Sequence, residues 1–331
     1  MGEKPSRNLA LELARVTEAA ALAAGRHMGR GDKETGDRAA VDAMRLVLNS
    51  IDIDGVIVIG EGEKDQAPML YNGERLGSRN GPQVDIAVDP IDGTRLLALG
   101  RANSIATVAL AERGRLYNPG PFVYMNKIAV GPAANGHVDL DAPVEDNLKA
   151  VARAKAADVN DLTVMILDRP RHEQLIAEVR RTGARIQLIT DGDVAGALMT
   201  AWPDSGIDVL VGIGGAPEGV LAACALKCMG GEIQGRLYAR SSEEAALGSR
   251  EGWDLERRLD MDDLAGGEDV FFAATGITDG QLLQGVKYSG SGARTHSLVM
   301  RSRSGTIREI TSIHKWDKLM RYSQIAYDPG P

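Results

Sequence analysis

The sequence contains few cysteines. Only Cys224 and Cys228 occur in 331 residues, and they lie four positions apart in an apolar run with helical spacing. This spacing favours two buried thiols on one face of a helix. A zinc site would need further cysteine or histidine ligands beside them, so the pair makes a poor one. Two free thiols fit a reducing compartment, and we expect a cytoplasmic protein.

Basic clusters and long apolar segments are also missing. The chain carries 38 Lys and Arg against 46 Asp and Glu, a net charge of -8, without any block of five like charges. This argues against a nucleic-acid partner, which would need a basic face. An anionic substrate stays possible, because a bound metal can supply positive charge locally. No apolar run reaches about 18 residues and no signal-peptide core is present, so we expect no membrane partner.

Three common site motifs do not occur either. Neither the phosphate-binding pattern G-x-x-x-x-G-K-[ST] nor the nucleophile elbow G-x-S-x-G is found. The dinucleotide pattern G-x-G-x-x-G fails because Gly212 and Gly214 are followed by Pro217. The five histidines lie far apart in sequence. His172 is better interpreted as a polar neighbour of two arginines than as a metal ligand.

The pattern of apolar residues predicts an α/β protein. The length suggests about two domains of ~150 residues, and we place their boundary in a predicted helix, giving residues 1–150 and 151–331. The second part alternates strands with helices, which predicts a mostly parallel sheet. The tail of the chain is strand-like. The predicted strands are 55–60, 84–88, 104–110, 124–130, 162–167, 185–190 and 207–213, and the first helices are 6–28 and 37–51.

The stretch Asp89-Pro90-Ile91-Asp92-Gly93-Thr94 follows the predicted strand 84–88. We expect Pro90 to end that strand, because proline cannot donate to the ladder. Two carboxylates would then lie at the carboxyl end of a strand, where open α/β sheets bind ligands. A divalent cation would relieve their repulsion. The alternative is an ordinary proline turn with an Asx cap.

Other predicted elements deliver further acids to the same edge. Glu61, Glu63 and Asp65 follow a buried strand, where a solvated acidic loop is the alternative, and Asp37 could also be a plain helix cap. Five acids suit two hard cations about 4 Å apart, which clamp the oxygens of a displacement reaction. The candidate ligands are Asp37, Glu61, Asp89, Asp92 and Glu218. Lys33, Arg169 and Arg171 could hold a phosphate.

These runs resemble the lithium-sensitive, metal-dependent phosphatase superfamily. The match is to class II (bacterial) fructose-1,6-bisphosphatase over about residues 5–320. It is carried by the joint order of 59–63, 67–71, Asp89 to Thr94, Tyr124-Met125-Asn126-Lys127, 169–172, 191–195 and 214–219. The resemblance implies a layered α/β/α/β/α sugar-phosphatase fold of two mixed-sheet domains. Many class II members carry glutamate where this chain has Asp92, and we expect the shorter arm to weaken or redirect one metal contact.

The resemblance also implies roles for the candidate residues. Asp37 and Glu61 would hold one metal, and Asp89, Asp92 and Glu218 the second. Asp92, Gly93 and Thr94 would contact the reacting phosphate. The positions that match catalytic ones are Lys33, Asp65 and Thr94, with Thr94 orienting the attacking water. The sugar and its distal phosphate would be bound by Tyr124, Arg169, Pro170, Arg171, Asp191, Gly192, Asp193 and Gly215.

The expected activity is hydrolysis of fructose 1,6-bisphosphate to fructose 6-phosphate and phosphate in gluconeogenesis, with Mn2+ or Mg2+. A metal-activated water would attack phosphorus, and the sugar alkoxide would leave. Relatives that act on sedoheptulose 1,7-bisphosphate or on an inositol phosphate are alternatives. A sugar-phosphate sensor without turnover is a further one, although Thr94 argues against it because binding needs no water-orienting hydroxyl. We also expect a homo-oligomer, either a dimer or a tetramer.

Overall fold

The protein is described by a computed structural model that covers residues 8–61, 69–323, 325 and 327. The α-helices within these residues are α1 (Ala10–Ala24), α2 (Lys33–Leu48), α3 (Thr94–Ala98), α4 (Val144–Ala154), α5 (Glu173–Thr182), α6 (Asp193–Ala201), α7 (Ala216–Met229), α8 (Ser242–Glu251), α9 (Met261–Leu264) and α10 (Trp316–Tyr322). The predicted long first helix is confirmed in α1. Among the described residues, no helix has both the length and the apolar character needed to cross a bilayer.

The strands form two sheets. They are β1 (Asp54–Ile59), β2 (Arg75–Leu76), β3 (Gln83–Asp92), β4 (Ile105–Glu112), β5 (Tyr124–Val130), β6 (Thr163–Leu167), β7 (Arg185–Ile189), β8 (Val209–Gly215), β9 (Glu232–Tyr238), β10 (Phe271–Gly276), β11 (Lys287–Ser289), β12 (Gly292–Arg301) and β13 (Thr306–Lys315). The first sheet has the order β11-β12-β10-β4-β3-β1-β2, with β13 paired to β12. The second has the order β7-β6-β8-β5-β9.

Helices separate and cover the two sheets. α1 and α2 pack on one face of the first sheet in a shared apolar core. α6 and α7 share a second core with residues of both sheets, so they lie between them. α4 and α5 cover the outer face of the second sheet. Most residues of α7 are apolar and buried, because the helix lies between the two sheets. The layered α/β/α/β/α architecture is thereby confirmed.

Both sheets are mixed. β1 and β3 are parallel, while the other pairs of the first sheet are antiparallel. In the second sheet β6 is parallel to β7 and β8, but β5 is antiparallel to β8 and β9. The mostly parallel sheet expected for the second part of the chain is confirmed, because β6, β7 and β8 run in the same direction. The antiparallel pairs of this sheet both involve β5, which joins it from earlier in the chain, while β10 to β13 join the first sheet. A domain boundary near residue 150 stays a prediction.

The predicted end of the strand at Pro90 is wrong. β3 continues through Pro90 to Asp92, and its register against β4 shifts between Asp89 and Asp92. Asp89 pairs with Thr107 and Asp92 with Ile105, so three residue steps on β3 match two on β4. This irregularity accommodates the proline without ending the strand. It also sets the positions of both carboxylates at the sheet edge.

The second helix begins four residues earlier than predicted. Its cap is Asp32, whose carboxylate accepts a hydrogen bond from the Thr35 backbone N–H at 3.1 Å. This bond satisfies an otherwise unpaired amide of the first turn. Asp37 therefore lies inside α2 rather than at its start, which removes the plain-cap alternative for this residue.

Candidate active site

Six carboxylates line one small cavity beside the first sheet. Its volume is about 240 Å³. The acidic residues among its walls are Asp37, Glu61, Asp89, Asp92, Asp191 and Glu218, and its other walls are Gly60, Val88, Ile91, Gly93, Thr94 and Pro217. All five predicted metal ligands thus face the same space. They come from α2, the end of β1, β3 and the first turn of α7.

The irregular end of β3 fixes two of these carboxylates. Asp89 accepts a hydrogen bond from the Ile91 backbone N–H at 3.0 Å. Asp92 is 2% exposed, and its Oδ2 accepts the backbone N–H of Ala195 in α6 at 3.1 Å. Burial raises the pKa of both carboxyls well above the usual value, and neighbouring carboxylates add to the shift. The Asp92 carboxylate therefore connects the first sheet to a helix of the middle layer.

Glu61 and Asp37 form the next wall. Burial, with the charges of Asp37 and Glu218, raises the pKa of Glu61 to about 8. Burial also raises the pKa of Asp37. Shifts of this kind are expected where like charges share a poorly solvated space. The cavity consequently favours either protons or an added cation.

Glu218 enters the cavity from the start of α7. Its Oε2 is buried and has no hydrogen-bond partner among the described residues. Burial raises its pKa to about 7, and the charge of Lys127 opposes that shift. Gly215 leaves the space that this carboxylate occupies, because a Cβ there would lie 1.6 Å from Glu218 Oε2. A buried acceptor without a donor is costly, so this oxygen is suited to bind a cation.

A buried ion pair lies directly behind this wall. Lys127 in β5 is 1% exposed, and its Nζ lies 2.5 Å from Asp193 Oδ2 and 3.0 Å from the Gly215 carbonyl oxygen. No role for Lys127 was predicted from the sequence. The available signal was a lysine within a strand whose following residues, Ile128 to Val130, are all apolar. A charged side chain in such a run is rarely buried without a specific partner.

The Gly93-Thr94 turn forms the floor of the cavity. Gly93 has φ +90°, a left-handed conformation that suits glycine, and it precedes the first residue of α3. The Thr94 hydroxyl donates to the Ile91 carbonyl oxygen at 3.2 Å. Gly93, not Thr94, is the capping residue, and no side chain caps this helix. The Thr94 side chain therefore does not cap α3, and Thr94 is one of the residues that line the cavity.

The residues expected to bind the sugar lie in three groups. Asp191 is on the cavity wall, and Gly192 is so close that a Cβ there would lie 3.9 Å from Asp92 Oδ2. Burial raises the pKa of Asp191, whereas the charge of Arg169 lowers it, so these two groups lie within electrostatic reach. Asp193 pairs with Lys127 behind the wall.

The arginine segment lies outside the cavity. Arg171 is exposed, donates twice to the Ile213 carbonyl oxygen at 2.8 and 3.2 Å, and stacks over the Tyr124 ring at 4.8 Å. His172 is buried between two backbone groups. Its Nε2 accepts the Ile213 N–H at 2.8 Å, so the Nδ1 proton faces the Leu167 carbonyl oxygen at 2.7 Å. The interpretation of His172 as a structural polar neighbour agrees with these contacts.

Two predicted catalytic residues are not brought to the cavity by the described structure. Lys33 is exposed at the start of α2 and does not line it. Asp65 lies outside the described residues, as do Glu63 and the greater part of the acidic loop. Within the described ranges, no three His, Cys, Asp or Glu side chains converge closely enough to form a ready metal-ligand cluster. The assignment of individual ligands therefore stays a prediction.

Comparisons with known proteins agree with this geometry. Residues 7–314 match the family model described as "Bacterial fructose-1,6-bisphosphatase, glpX-encoded". The chain is 49% identical over 325 residues to "Fructose-1,6-bisphosphatase 1 class 2" of Escherichia coli (strain K12), covering 94% of this chain and 96% of the relative. It has the same identity and coverage with "Fructose-1,6-bisphosphatase class 2" of Shigella flexneri.

The α/β layers, the acidic cavity and these similarities define a phosphoric monoester hydrolase. Within that class, the chain belongs to the bacterial, class 2 fructose-1,6-bisphosphatase family. The resemblance drawn from the sequence motifs is thereby confirmed.

Proposed function

We propose that this chain hydrolyses fructose 1,6-bisphosphate to fructose 6-phosphate and phosphate, as a step of gluconeogenesis. The single observation that supports this most strongly is the convergence of six carboxylates on one cavity of about 240 Å³. Family membership supports the substrate, because the relatives carry that activity in their names. Hydrolysis of sedoheptulose 1,7-bisphosphate is the second candidate, favoured only by the shared chemistry of the two bisphosphates.

The donor set of the cavity fits a hard divalent cation, Mn2+ or Mg2+. All of its charged walls are carboxylates, the oxygen ligands that such cations prefer. The unpaired Oε2 of Glu218 and the raised pKa values of Glu61 and Glu218 support the same proposal. When bound, the cations would activate water and neutralise charge on the phosphoryl oxygens. The proposed ligands are Asp37, Glu61, Asp89, Asp92 and Glu218.

The other residues of the site are assigned roles in orienting water and in binding the two phosphates. We assign Thr94 to orienting the attacking water, because this residue lines the cavity and its hydroxyl does not cap α3. Gly93 lets the backbone approach the reacting phosphate, since it has no side chain in the way. Arg169 and Arg171 would grip the distal phosphate with forked guanidinium groups. Lys33 and Asp65 keep their proposed catalytic roles.

Assembly and location are also proposals. Both cysteines are free and buried in α7, which supports a reducing cytoplasmic setting. A homo-oligomer, either a dimer or a tetramer, is the expected assembly.

Phosphate release from a panel of sugar phosphates, with and without Mn2+, tests the proposal. We expect metal-dependent release from fructose 1,6-bisphosphate and none without added cation. The Glu218→Gln variant should lose this activity. Glu243→Gln is the matched control, because Glu243 lies in the first turn of α8 but is exposed. Binding of the bisphosphate without any release would support the sensor, and faster release from the sedoheptulose or an inositol compound would move the activity to that substrate.

A further inference from the structure

The Lys127 side chain is a buried cation with two partners that belong to different elements. One partner is the carboxylate of Asp193 at the start of α6, and the other is the carbonyl of Gly215 at the end of β8. Both contacts lie at hydrogen-bonding distance, 2.5 and 3.0 Å. A single ammonium group therefore joins the beginnings of α6 and α7. Lysine carries three donors on a compact head, which allows this kind of branching.

Each of these two helices delivers a group to the acidic cavity. In α6, the backbone N–H of Ala195, two residues after Asp193, donates to Asp92 Oδ2 at 3.1 Å. In α7, Glu218 follows Gly215 by three residues and extends its carboxylate into the cavity. Two short routes thus lead from the Lys127 ammonium to two different carboxylates of the site. One runs through Asp193 and Ala195, and the other through Gly215.

Two glycines, Gly214 and Gly215, clear the space that this arrangement needs. A Cβ on Gly214 would lie 2.1 Å from Asp193 Oδ2 and 2.9 Å from Lys127 Nζ. At Gly215 it would collide with the Glu218 carboxylate. Side chains on this segment would displace the ion pair or the cavity carboxylate.

We propose that Lys127 is a positioning residue for the cation site. By holding Asp193 and the Gly215 carbonyl at fixed distances, it sets the separation of the Asp92 and Glu218 carboxylates across the cavity. The proposal rests on the proposed function, because it concerns the cation that this activity requires. It differs from an ordinary role of Lys127 as a counter-charge, and the two roles predict opposite effects on cation binding.

The Lys127→Met variant separates these roles. Methionine keeps the length of the side chain and removes its charge and donors. If Lys127 were only a repelling positive charge near the cavity, its removal would tighten Mn2+ binding. If it positions the carboxylates, Mn2+ binding becomes weaker. We expect the dissociation constant for Mn2+, measured by calorimetric titration of the purified full chain, to rise at least about tenfold, because misplaced ligands and outer partners typically cost 10–100-fold in metal affinity.

Lys149→Met is the matched control. Lys149 is also paired with a carboxylate, Glu145, but the pair is exposed on α4. This variant should bind Mn2+ and release phosphate like the wild type. Urea unfolding of all three proteins reports stability separately. A Lys127→Met protein with a lower midpoint but wild-type Mn2+ affinity would overturn the proposal, and so would tighter binding.

A second variant covers the case in which Lys127→Met does not fold. Lys127→Arg keeps the charge, but its planar fork does not reproduce the single branching point between Asp193 and Gly215. We expect weaker Mn2+ binding here too, and a wild-type affinity would overturn the proposal. If the wild type and Lys149→Met neither bind Mn2+ nor release phosphate, the proposed function is refuted, and so is this inference, which rests on it. If the wild type and Lys149→Met are active and Lys127→Met binds Mn2+ with the same affinity as they do, only the inference about Lys127 is refuted, and the proposed function stands.

Discussion

Replacing Gly215 by alanine should damage activity without damaging the fold. The backbone at Gly215 has φ -64°, which any residue adopts, so alanine adds no backbone strain. The new Cβ, however, would lie 1.6 Å from Oε2, 2.3 Å from Cδ and 2.7 Å from Oε1 of Glu218. Ordinary contact begins near 3.4 Å. The carboxylate must therefore move by about 2 Å, and it can do so because it is the end of a flexible side chain.

The two consequences of this movement differ in size. A displaced rotamer costs roughly 0.5–1.5 kcal/mol, while replacing glycine at a compatible position returns about 0.4–1 kcal/mol through the unfolded state. The free energy of unfolding should thus change by less than about 1 kcal/mol. Misplacing a group at a site by only 1 Å can cost about 10²-fold in rate. We therefore expect kcat/KM for the bisphosphate to fall at least about 10²-fold, equal to ~2.7 kcal/mol of transition-state stabilisation.

Phosphate release with saturating Mn2+, measured beside urea unfolding, tests this expectation. Gly290→Ala is the matched control, because Gly290 is exposed and a Cβ there would meet no atom within 4 Å. That variant should match the wild type in both measurements. Normal kcat/KM in Gly215→Ala would refute the reasoning, since it would mean that the position of the Glu218 carboxylate does not matter for turnover.

Three further predictions follow from the same geometry. Thr94→Ala should lower kcat by about 10²–10⁴-fold with only a small fall in melting temperature, because the hydroxyl does not cap α3 and its removal loses one hydrogen bond, to the Ile91 carbonyl, worth about 0.5–1.5 kcal/mol; normal kcat in the phosphate assay would show that the water is oriented without it. Arg169→Ala and Arg171→Ala should mainly raise KM, since they would hold the phosphate that does not react, and a lower kcat at constant KM would instead assign them to the reacting group. In the absence of added cation, the free energy of unfolding should fall as pH rises from about 4.5 to 8, because the folded pKa values of Glu61, about 8, and Glu218, about 7, exceed their usual 4.5. Below pH 4.5 both glutamates are protonated in the folded and the unfolded state, so the stability that their raised pKa values provide is fully present. Urea unfolding across this pH range should show the decrease in the free energy of unfolding, and Glu218→Gln should make that decrease smaller per pH unit.

Individual helices and strands could be predicted because their signals are local, whereas the layered arrangement was expected from the family resemblance. Apolar spacing identified α1, and β5 was located at its observed bounds, Tyr124 to Val130. The pairing of β5 was not predictable in the same way. Its sequence reads as a strand in any sheet, and membership of the second sheet depends on long-range contacts with β8 and β9. Strand order is therefore a property of the assembled layers rather than of the segment.

The errors within the site have a similar origin. Proline at position 90 was expected to end β3, but the pairing of Asp92 with Ile105 continues the ladder beyond an irregularity. The strand β8 was expected to end at residue 213, yet Gly214 and Gly215 pair with Met125 and Tyr124. In both cases the neighbouring strand supplies the hydrogen bonds that the local sequence does not indicate. The order of the family motifs along the chain identified the carboxylates of the cavity more reliably than the rules for strand ends and turns did. The reason is that this order depends on the whole fold, whereas those rules depend on a few neighbouring residues.

The structure also explains why so many acids can share the cavity. The carboxylates of Asp89 and Asp92 accept backbone N–H groups of β3 and α6, and Glu218 extends from α7 in the shared core, so these acids lie on layers that are already stabilised elsewhere. Burial, with the charges of neighbouring carboxylates in addition, raises the pKa values of Asp89 and Asp92 rather than unfolding the site. The buried charge of Asp193 is compensated by Lys127, so it adds less repulsion than an unpaired carboxylate would. The unfavourable charge that remains is concentrated on the cavity, where a cation would relieve it. The repulsion between these carboxylates lowers the stability of the cation-free protein, and we expect a bound cation to remove it. The free energy recovered in this way would contribute to the affinity for metal.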